Sequence, residues 1–461
     1  MKFSLPICFG CLFCLARMAA SAEPVVFETD VGESIGPVKP VNGVGQPPMI
    51  GQLDDWSMMH YLRDAGIPYS RLHDVGGWLG KGLYVDIPNL FPDFDADEDD
   101  PKSYRFAYTD SLIKALADNG VEPYFRLGVT IENFVERGYP PVNIFPPKDY
   151  AKWARIAEHV IRHYTEGWAD GFRMKISYWE IWNEPDNQPE VEKNTMWRGD
   201  WESYLRFYGV VAPHLKAKFP HLKIGGYGSC GFYAAVGSGQ VKAANSSPRT
   251  IYFVDCFTNF LARAKSNKWP LDFFSFHSYS NPNEARQQIA YARETLDAYG
   301  FGKTEMSFNE WLPGAWVGNL GSANQACAIA AELIDLQNGP CDTAMLYDAR
   351  CGVGAYSPLF NPLTYKPHKA YYAFVAFNEL RKAGTAVRCT SSDPALYAAA
   401  AAGGGRFALM VANPSDRDIE VEFKGLPAEC ACRITDAERT NETVPVPKML
   451  PARSFAVIWR K

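Results

Sequence analysis

The chain has 461 residues, too many for one ordinary domain but suited to a barrel of about 250 residues or more with a smaller module beside it. Hydrophobic residues make up 47% and charged residues 21%, a globular composition that argues against disorder. The formal net charge is −6 and no long block of like charges occurs, so we expect no nucleic-acid partner.

The first 22 residues have the pattern of a signal peptide. Lys2 precedes an apolar stretch over residues 3–15, and residues 20–22 read Ala-Ser-Ala, the small residues of a cleavage site. The apolar stretch is too short to span a membrane, and no other segment is long and apolar enough. We therefore expect a protein exported to the periplasm or the medium, with a lipid anchor as an open alternative.

The cysteines allow two interpretations. Three of the 11 cysteines lie in residues 1–22, and the remaining eight are scattered from Cys230 to Cys432. In an exported protein one or two disulfides are expected as readily as buried thiols, and the pairing cannot be deduced from the sequence.

Between about residues 40 and 380, short apolar strands alternate with segments of helical period. In residues 150–165, for example, Trp153, Ile156 and Val160 recur at helical spacing. Eight strands with intervening helices favour an α/β fold of the closed (β/α)8 barrel type over an open doubly wound sheet. The predicted strands are 40–44, 68–72, 123–127, 177–182, 222–226, 272–276, 305–309 and 343–347.

After residue 382 the pattern changes to short strands separated by turn residues, which predicts a small β-sandwich over residues 383–461. An N-terminal strand in residues 23–39 is expected to join this sandwich, so that the barrel comprises residues 40–382. The predicted sandwich strands are 396–401, 406–412, 419–423, 432–436 and 454–459.

Two glutamates follow predicted barrel strands. Glu184 follows the aromatic fourth strand and precedes Pro185, which is expected to bias it toward extended backbone; Glu310 ends the seventh strand. The carboxyl ends of barrel strands share one mouth, so we expect both carboxylates in one pocket. Retaining glycoside hydrolysis needs such a pair, one group as acid and one as nucleophile, about 5–5.5 Å apart.

The residues 182–185, Trp-Asn-Glu-Pro, resemble the acid/base signature of the clan of (β/α)8 retaining glycosidases. Within that clan the chain most resembles glycoside hydrolase family 39, the β-xylosidase and α-L-iduronidase group. The segments that carry this resemblance are 69–73, 179–185, 222–226, 272–279 and 309–311.

The resemblance implies that Glu184 is the acid/base and Glu310 the nucleophile. Asn183 is expected to hydrogen-bond the 2-hydroxyl of the sugar, a contact that strengthens in the transition state.

Other residues at the strand ends are expected to support this pair. Arg71 and His73 share one face of the second strand, where Arg71 would keep the nucleophile ionised and His73 would bind the sugar. A structural, hydrogen-bonded His73 is the alternative. Glu180 is expected to be a buried partner for Arg71. Tyr279 is placed to hydrogen-bond the nucleophile, and His277 to line the pocket.

Several aromatic residues near the strand ends are candidates for stacking on a sugar face, namely Trp182, Trp311 and Trp316, with core packing as the alternative. Tyr347 and Asp348 follow the eighth strand and are expected to reach substrate hydroxyls.

Two motifs superficially resemble those of other protein classes, a dinucleotide-binding loop and a metal-binding helix. Residues 226–231 match G-x-G-x-x-G, but no helix opens directly after them and no fitting acid follows, so a dinucleotide site is not expected. His159 and His163 lack the glutamate of a metalloprotease helix. We therefore expect no cofactor and no metal.

The sequence thus predicts an exo-acting retaining glycosidase for plant or microbial glycan fragments, with no membrane span. It does not indicate the number of subunits. A β-xyloside is the first choice of substrate, and an α-L-arabinoside or β-galactoside is close behind. An endo-acting glycanase of the same clan and a catalytically silent carbohydrate-binding barrel remain as alternatives.

Overall fold

The computed structural model describes residues 23–49, 58–75, 84–132, 134–236, 240–241, 246–315 and 317–460. The predicted signal peptide, residues 1–22, lies outside them. Among the described residues, no helix combines the length and the apolarity needed to cross a bilayer.

Eight parallel strands close into a barrel, so the predicted fold is confirmed. Each strand pairs with its neighbours in chain order, and the eighth pairs with the first, where Met345 lies opposite Gly43. We number them barrel strands 1 to 8. They are Gly43–Gly45, Tyr69–Leu72, Glu122–Leu127, Tyr178–Ile181, Lys223–Ser229, Phe273–Ser278, Glu305–Trp311 and Thr343–Leu346.

Helices surround the barrel. Tyr150–Thr165 shows why they form: the Asp149 side chain caps the first turn by accepting from the Ala151 N–H, and the face that contains Trp153 is buried. The helices are His60–Asp64, Ile87–Leu90, Ala107–Asp118, Tyr150–Thr165, Trp201–Lys218, Pro248–Asn267, Pro282–Ala298, Ala323–Asn338 and Tyr371–Ala383.

Large side chains fill the amino-terminal end of the barrel interior. Tyr124, Tyr178, Phe273 and Met345 form a buried cluster, which we call the aromatic plug. The rings of Tyr124 and Tyr178 stack with centroids 5.0 Å apart, and Phe273 meets both edge-on. A Cβ at Gly225 would lie 2.1 Å from the Phe273 carbonyl oxygen, so glycine is required for this packing.

A second domain is built from both chain ends. Val25–Pro37 lies within a nine-stranded mixed sheet, antiparallel to Thr385–Ser391 and parallel to Ile419–Lys424, as expected for the N-terminal segment. The sheet encloses its own apolar core and also packs against two barrel helices. Its other strands are Tyr397–Gly403, Arg406–Asn413, Ala431–Thr435, Glu442–Val444, Met449–Leu450 and Ser454–Arg460.

All eight cysteines from Cys230 to Cys432 are free thiols. Of the two interpretations of the cysteine pattern, the structure therefore shows unpaired thiols, and most of them are buried.

Candidate active site

The carboxyl ends of the barrel strands surround a cavity of about 380 Å³. Both predicted glutamates reach it, Glu184 from just beyond barrel strand 4 and Glu310 from barrel strand 7. The predicted residues His73, Asn183, Tyr279 and Tyr347 also line it. The remaining lining residues are Asp74, Thr130, Ile131, Cys230, Tyr233, Arg249, Phe253, Arg350 and Tyr356.

The two carboxylates lie close together. One side-chain oxygen of Glu184, one of Glu310 and a ring nitrogen of His277 are all within 4.8 Å of one another. Carboxyl groups lie about 5–5.5 Å apart in retaining glycosidases and about 6.5–9.5 Å apart in inverting ones, so this close approach favours the retaining arrangement.

Both oxygens of Glu310 accept strong hydrogen bonds. The Arg71 guanidinium donates through Nη1 to Oε1 at 2.7 Å, and the Tyr279 hydroxyl donates to Oε2 at 2.7 Å, as expected from the sequence. Burial alone would lower the pKa of Arg71, but the charges of Glu180 and Glu310 raise it above its ordinary value. Arg71 is therefore a permanent cation, paired directly with Glu310.

Glu180, deeper in the barrel interior, holds Arg71 in place. Its Oε2 accepts from Arg71 Nε at 2.7 Å, and its Oε1 accepts from the Ser275 hydroxyl at 2.6 Å and from Asn309 Nδ2 at 2.7 Å. All four side chains are buried. Because this buried charge is both paired and hydrogen-bonded, it can be tolerated inside the barrel.

Glu184 lies in a different environment. Oε1 contacts His277 Nδ1 at 2.8 Å, and Oε2 accepts from Asn187 Nδ2 at 2.9 Å. Burial would raise the pKa of Glu184, but the hydrogen bond and charge of His277 together with Asn187 lower it below its ordinary value. The pKa of His277 is raised: burial opposes this, but the charge of Glu310 and the contact with Glu184 outweigh burial. Glu184 and His277 thus share one proton.

His277 contacts the carboxylates rather than the open cavity, so the expectation that it lines the pocket is wrong. Its side chain is fully buried, and Nδ1 also lies 3.5 Å from Glu310 Oε2. As strand alternation predicts, the His277 side chain points to the inside of the barrel, but it lies behind the two glutamates and does not reach the cavity. Arg71, Asn183, Glu184, His277 and Glu310, together with Glu180, are called the mouth cluster below.

The backbone of Glu184 is not extended, so the expectation drawn from Pro185 is wrong. Glu184 has φ +43° and Trp182 has φ +71°, both in the left-handed region. The Glu184 N–H donates to the Gly228 carbonyl at 2.9 Å, and the Glu184 carbonyl accepts from the Asn187 N–H at 3.0 Å. The tertiary bond to Gly228 and the local turn to Asn187 outweigh the bias of a residue before proline and aim the carboxylate at the cavity.

His73 contacts carboxylates and also lines the cavity. Nε2 lies 3.3 Å from Asp74 Oδ1 and 3.8 Å from Glu310 Oε1, and the residue also lines the cavity. Burial first, and then the charges of Arg126 and Arg71, lower the pKa of His73 well below its ordinary value. A neutral ring can donate from one nitrogen and accept with the other, which suits a sugar hydroxyl.

The predicted stacking tryptophans do not reach the cavity. Trp311 is 1% exposed and packs against Phe308, because alternation turns it outward when Glu310 points inward. Trp182 is 2% exposed and donates from Nε1 to the Met196 carbonyl. Trp316 lies outside the described residues. Of the two interpretations, core packing therefore holds for Trp311 and Trp182. Among the described residues, the aromatic side chains that line the cavity are those of Tyr233, Phe253, Tyr279, Tyr347 and Tyr356.

Barrel strand 8 contributes Tyr347 but not Asp348. The Tyr347 hydroxyl donates to Asp74 Oδ2 at 2.9 Å while its ring lines the cavity. Asp348 is fully buried and accepts from Arg350 Nε at 2.7 Å, so it orients Arg350 and does not reach a substrate hydroxyl. Burial raises the pKa of Asp74 to about 7, against the hydrogen bond from Ile131.

Several cavity residues were not among the predictions. Arg249 lies in the first turn of the helix Pro248–Asn267, whereas Cys230, Tyr233, Arg350 and Tyr356 lie in loops beyond strand ends. Their position after a strand was the only signal in the sequence, and it does not distinguish them from other loop residues.

The donor atoms of Glu184, His277 and Glu310 are close enough together to bind a metal ion. Arg71 and Tyr279 already occupy both oxygens of Glu310, and His277 and Asn187 occupy those of Glu184. The Arg71 guanidinium, 2.7 Å from Glu310, would repel a metal cation bound at the same carboxylate. The surroundings of Glu184, His277 and Glu310 therefore suit a pair of catalytic carboxylates better than a metal centre. His159 and His163 face different acids, Asp99 and Asp110.

A closed parallel barrel with two carboxylates meeting at its carboxyl-end mouth defines the class of the (β/α)8 glycosidases. The model of the glycosyl hydrolases family 39 matches residues 43–305, more than half of the chain. The chain belongs to that family, and the resemblance seen in the sequence is confirmed. The match includes Glu184 and ends before Glu310.

Individual relatives are distant. A β-xylosidase from Geobacillus stearothermophilus is 24% identical over 223 residues, which cover 47% of this chain and 39% of that protein. A solved glucosidase from Croceicoccus marinus has a TM-score of 0.73 at 20% identity, covering 95% of this chain and 98% of its own. A monomeric β-xylosidase from Caulobacter crescentus CB15 has a TM-score of 0.65 at 17% identity, covering 94% and 99%. These two structures share the fold.

Proposed function

We propose that the protein is a retaining glycoside hydrolase in which Glu310 is the nucleophile and Glu184 the acid/base. The observation that carries this proposal is the pair of carboxylate oxygens within 4.8 Å of each other in unlike surroundings. Glu310 is bound to a permanent cation, and Glu184 shares a proton with His277. The two roles need carboxylates in unlike surroundings, here one paired with a fixed cation and one beside a side chain that can hold a proton.

In the first step, a Glu310 oxygen forms a bond to the anomeric carbon as the bond to the leaving oxygen breaks. Glu184 supplies the proton that the leaving oxygen takes up, so the leaving group departs as a neutral alcohol. Arg71 and Tyr279 fix the direction of the Glu310 carboxylate before the attack, which reduces the reorganisation needed in the transition state.

In the second step, a water oxygen forms a bond to the anomeric carbon as the ester bond to Glu310 breaks, and Glu184 accepts a proton from that water. Formation of the glycosyl ester removes the charge of Glu310, which is the main influence that raises the pKa of His277. The hold of His277 on the shared proton therefore weakens in the intermediate, while its Nδ1 continues to orient Glu184 Oε1.

Asn183 is oriented for the sugar. Its Oδ1 accepts from Arg71 Nη2 at 2.6 Å, and the residue lines the cavity. With the oxygen engaged, the Nδ2 group is the one available to donate to a substrate hydroxyl, and we assign it the 2-hydroxyl.

The substrate we propose is a β-xyloside, cleaved from the end of a glycan fragment. A cavity of about 380 Å³ suits a terminal sugar and its neighbour rather than a long chain. The β-xylosidase relative supports this choice. The α-L-arabinoside and β-galactoside alternatives and an endo-acting glycanase stay open. A silent binding barrel is disfavoured, because sugar binding alone does not need two carboxylates at this spacing.

The test is hydrolysis of a panel of 4-nitrophenyl glycosides by the wild type, Glu310→Ala and Glu184→Ala, with added azide. We expect release from one sugar, loss of activity in Glu310→Ala, and rescue of Glu184→Ala by azide with formation of the β-glycosyl azide from a β-glycoside. The product identifies the residue that each variant removed, because azide retains configuration only when it attacks a glycosyl-enzyme.

Two matched controls separate chemistry from folding. Glu305→Gln changes the same residue type at the opposite end of barrel strand 7, and Glu190→Gln changes an exposed glutamate near Glu184. Both should hydrolyse at close to the wild-type rate. Hydrolysis unaffected by Glu310→Ala would contradict the proposed roles, and activity on polysaccharide without activity on aryl glycosides would favour the endo-acting alternative.

We also propose that the protein is exported and loses residues 1–22, from the charged, apolar and small-residue pattern of that segment. Mass spectrometry of the mature protein from the periplasm or medium tests this, and an intact N-terminus in the cell interior would contradict it.

A further inference from the structure

A second cavity, of about 410 Å³, adjoins the candidate active site. It lies beyond barrel strand 3 and shares two of its lining residues, Thr130 and Ile131, with the carboxylate cavity. Neither the family match nor the proposed chemistry assigns it a role. Its other lining residues are Asp86, Glu132, Phe134, Tyr139, Pro140, Val142 and Asn143.

The surfaces that this second cavity offers are mainly apolar. The rings of Phe134 and Tyr139 meet edge-to-face with centroids 5.7 Å apart, and Ile131 and Val142 extend the apolar surface. Tyr139 is 63% exposed and Val142 is 73% exposed, so large apolar groups border the opening. Exposed apolar surface of this kind is typical of ligand-binding sites.

The two carboxylates in the lining are already engaged. Asp86 accepts from Arg126 Nη2 at 2.7 Å and from the Thr130 N–H at 2.6 Å. Glu132 accepts from the N–H groups of Val142 and Asn143 at 2.8 and 2.6 Å. Their oxygens hold the loop together, so little polar capacity remains for a second sugar ring, which would have to hydrogen-bond several hydroxyls.

The adjacent residues Thr130 and Ile131 separate the two cavities. Thr130 donates its N–H to Asp86 on one side, and Ile131 donates its N–H to Asp74 Oδ1 at 2.9 Å on the other. Asp74 lines the carboxylate cavity, so the two cavities are neighbours that meet at Thr130 and Ile131.

We propose that the second cavity binds a planar aromatic group that is covalently attached to the sugar substrate. An aromatic ring needs apolar faces and edge contacts rather than many hydrogen bonds, and this lining supplies them. The ring has two chemical sources, a phenolic aglycone or an aroyl ester on a sugar hydroxyl. The sugar part of this substrate rests on the proposed function, but recognition of the ring does not.

The first experiment uses free 2-naphthol as the probe and follows its fluorescence on addition of the full-length protein. We expect saturable binding that weakens at least about tenfold in Phe134→Ala and in Val142→Asp. Val142→Asp alters an exposed position, so it should fold normally even if Phe134→Ala does not. Val31→Asp, at a half-exposed valine of the other domain, is the matched control and should bind like the wild type.

The second experiment compares non-hydrolysable thioglycosides of the sugar that the wild type cleaves. The 2-naphthyl thioglycoside carries the ring as an aglycone, and naphthoyl monoesters of the methyl thioglycoside carry it on a glycone hydroxyl. One of these should bind about tenfold more tightly than the plain methyl thioglycoside, and Val142→Asp should remove that gain while leaving the methyl compound unaffected. The series that gains affinity identifies the source of the ring.

The outcomes separate this inference from the proposed function. Saturable, Val142-dependent binding of 2-naphthol without any glycoside hydrolysis would refute the proposed function and keep the aromatic site. Hydrolysis that depends on Glu310, with neither an aryl gain nor an effect of Val142→Asp on 2-naphthol, would overturn the aromatic site and keep the hydrolase.

Discussion

The two ends of the barrel interior have opposite chemistry. At the amino-terminal end, the aromatic plug fills the space with rings in stacked and edge-on contact. At the carboxyl end, the mouth cluster brings three glutamates, an arginine and a histidine into direct contact in the same interior. The same eight strands carry both layers.

The contrast shows how stability and reactivity are separated along each strand. Barrel strand 7 begins with Glu305, which pairs with Lys223 near the plug, and nearly ends with Glu310, which contacts Arg71. The plug gains stability from close packing, whereas the mouth cluster retains buried charge that a purely structural core would exclude. Changes at the mouth should therefore affect turnover, and changes at the plug should affect folding.

The largest expected effect is that of Glu310→Gln on turnover. The amide cannot form the glycosyl ester, so kcat on the preferred aryl glycoside should fall by about 10⁴-fold or more. Glu305→Gln, on the same strand, should keep most of the activity. Similar losses of kcat in the two variants would contradict the proposal that catalysis is confined to the carboxyl end of the strand.

Phe273→Ala tests the other end of the barrel. Its ring is fully buried between Tyr124 and Tyr178, so truncation should lower the free energy of unfolding by about 3–5 kcal/mol. The kcat per folded molecule should stay near that of the wild type. Denaturant unfolding measures the first quantity and titrated active sites the second, with Phe273→Leu as a milder control. A large fall in kcat per active site would show that the plug takes part in catalysis.

Tyr279→Phe tests one hydrogen bond to the proposed nucleophile at the carboxyl end of the barrel. Removal of the hydroxyl takes one of the two strong donors from Glu310 and should lower kcat by about 10- to 100-fold with little change in thermal stability. Steady-state kinetics and a thermal melt on the same preparation check both parts. Unchanged kcat would mean that Arg71 alone suffices to orient the nucleophile.

The smallest expected effect concerns pH. Burial raises the pKa of Asp186, two residues after Glu184, to about 7, although the hydrogen bond from Ser229 opposes this. Between the ordinary value of 3.8 and about 7, the unfolded chain has lost a proton that the folded chain keeps, so stability falls as pH rises. The slope from one such group is at most about 1.4 kcal/mol per pH unit.

Asp186→Asn should therefore flatten the dependence of unfolding free energy on pH between about 4 and 7. Urea titrations at several pH values measure it, and a slope identical to that of the wild type would count against a protonated Asp186.

Much of the fold could be predicted because strand alternation and helical period are local signals. All eight barrel strands occur within a few residues of their predicted positions, and Tyr150–Thr165 has the predicted bounds. Thr385–Ser391 was not predicted as a strand, because its exposed positions show no clear alternation; pairing with the N-terminal strand forms it.

The candidate site was predictable only where strand parity fixes a side chain. Parity on barrel strand 2 turns Arg71 inward, where it meets Glu180. On barrel strand 7 a register irregularity between Phe308 and Glu310 turns Asn309 and Glu310 inward together and leaves Trp311 outside the cavity, which alternation alone does not predict. The left-handed backbone of Glu184 depends on the Gly228 carbonyl, which belongs to another strand. Loop residues such as Asn187 reach the carboxylates through tertiary folding that no local pattern encodes.

The most direct test of the proposed double displacement is to trap the intermediate. The wild type would be incubated with the 2,4-dinitrophenyl 2-deoxy-2-fluoro-β-glycoside of its preferred sugar, digested, and analysed by peptide mass spectrometry. We predict one fluoroglycosyl group attached to Glu310, with inactivation that parallels labelling. Attachment to another residue, or a first product of inverted configuration with no covalent label, would contradict Glu310 as the nucleophile of a retaining enzyme.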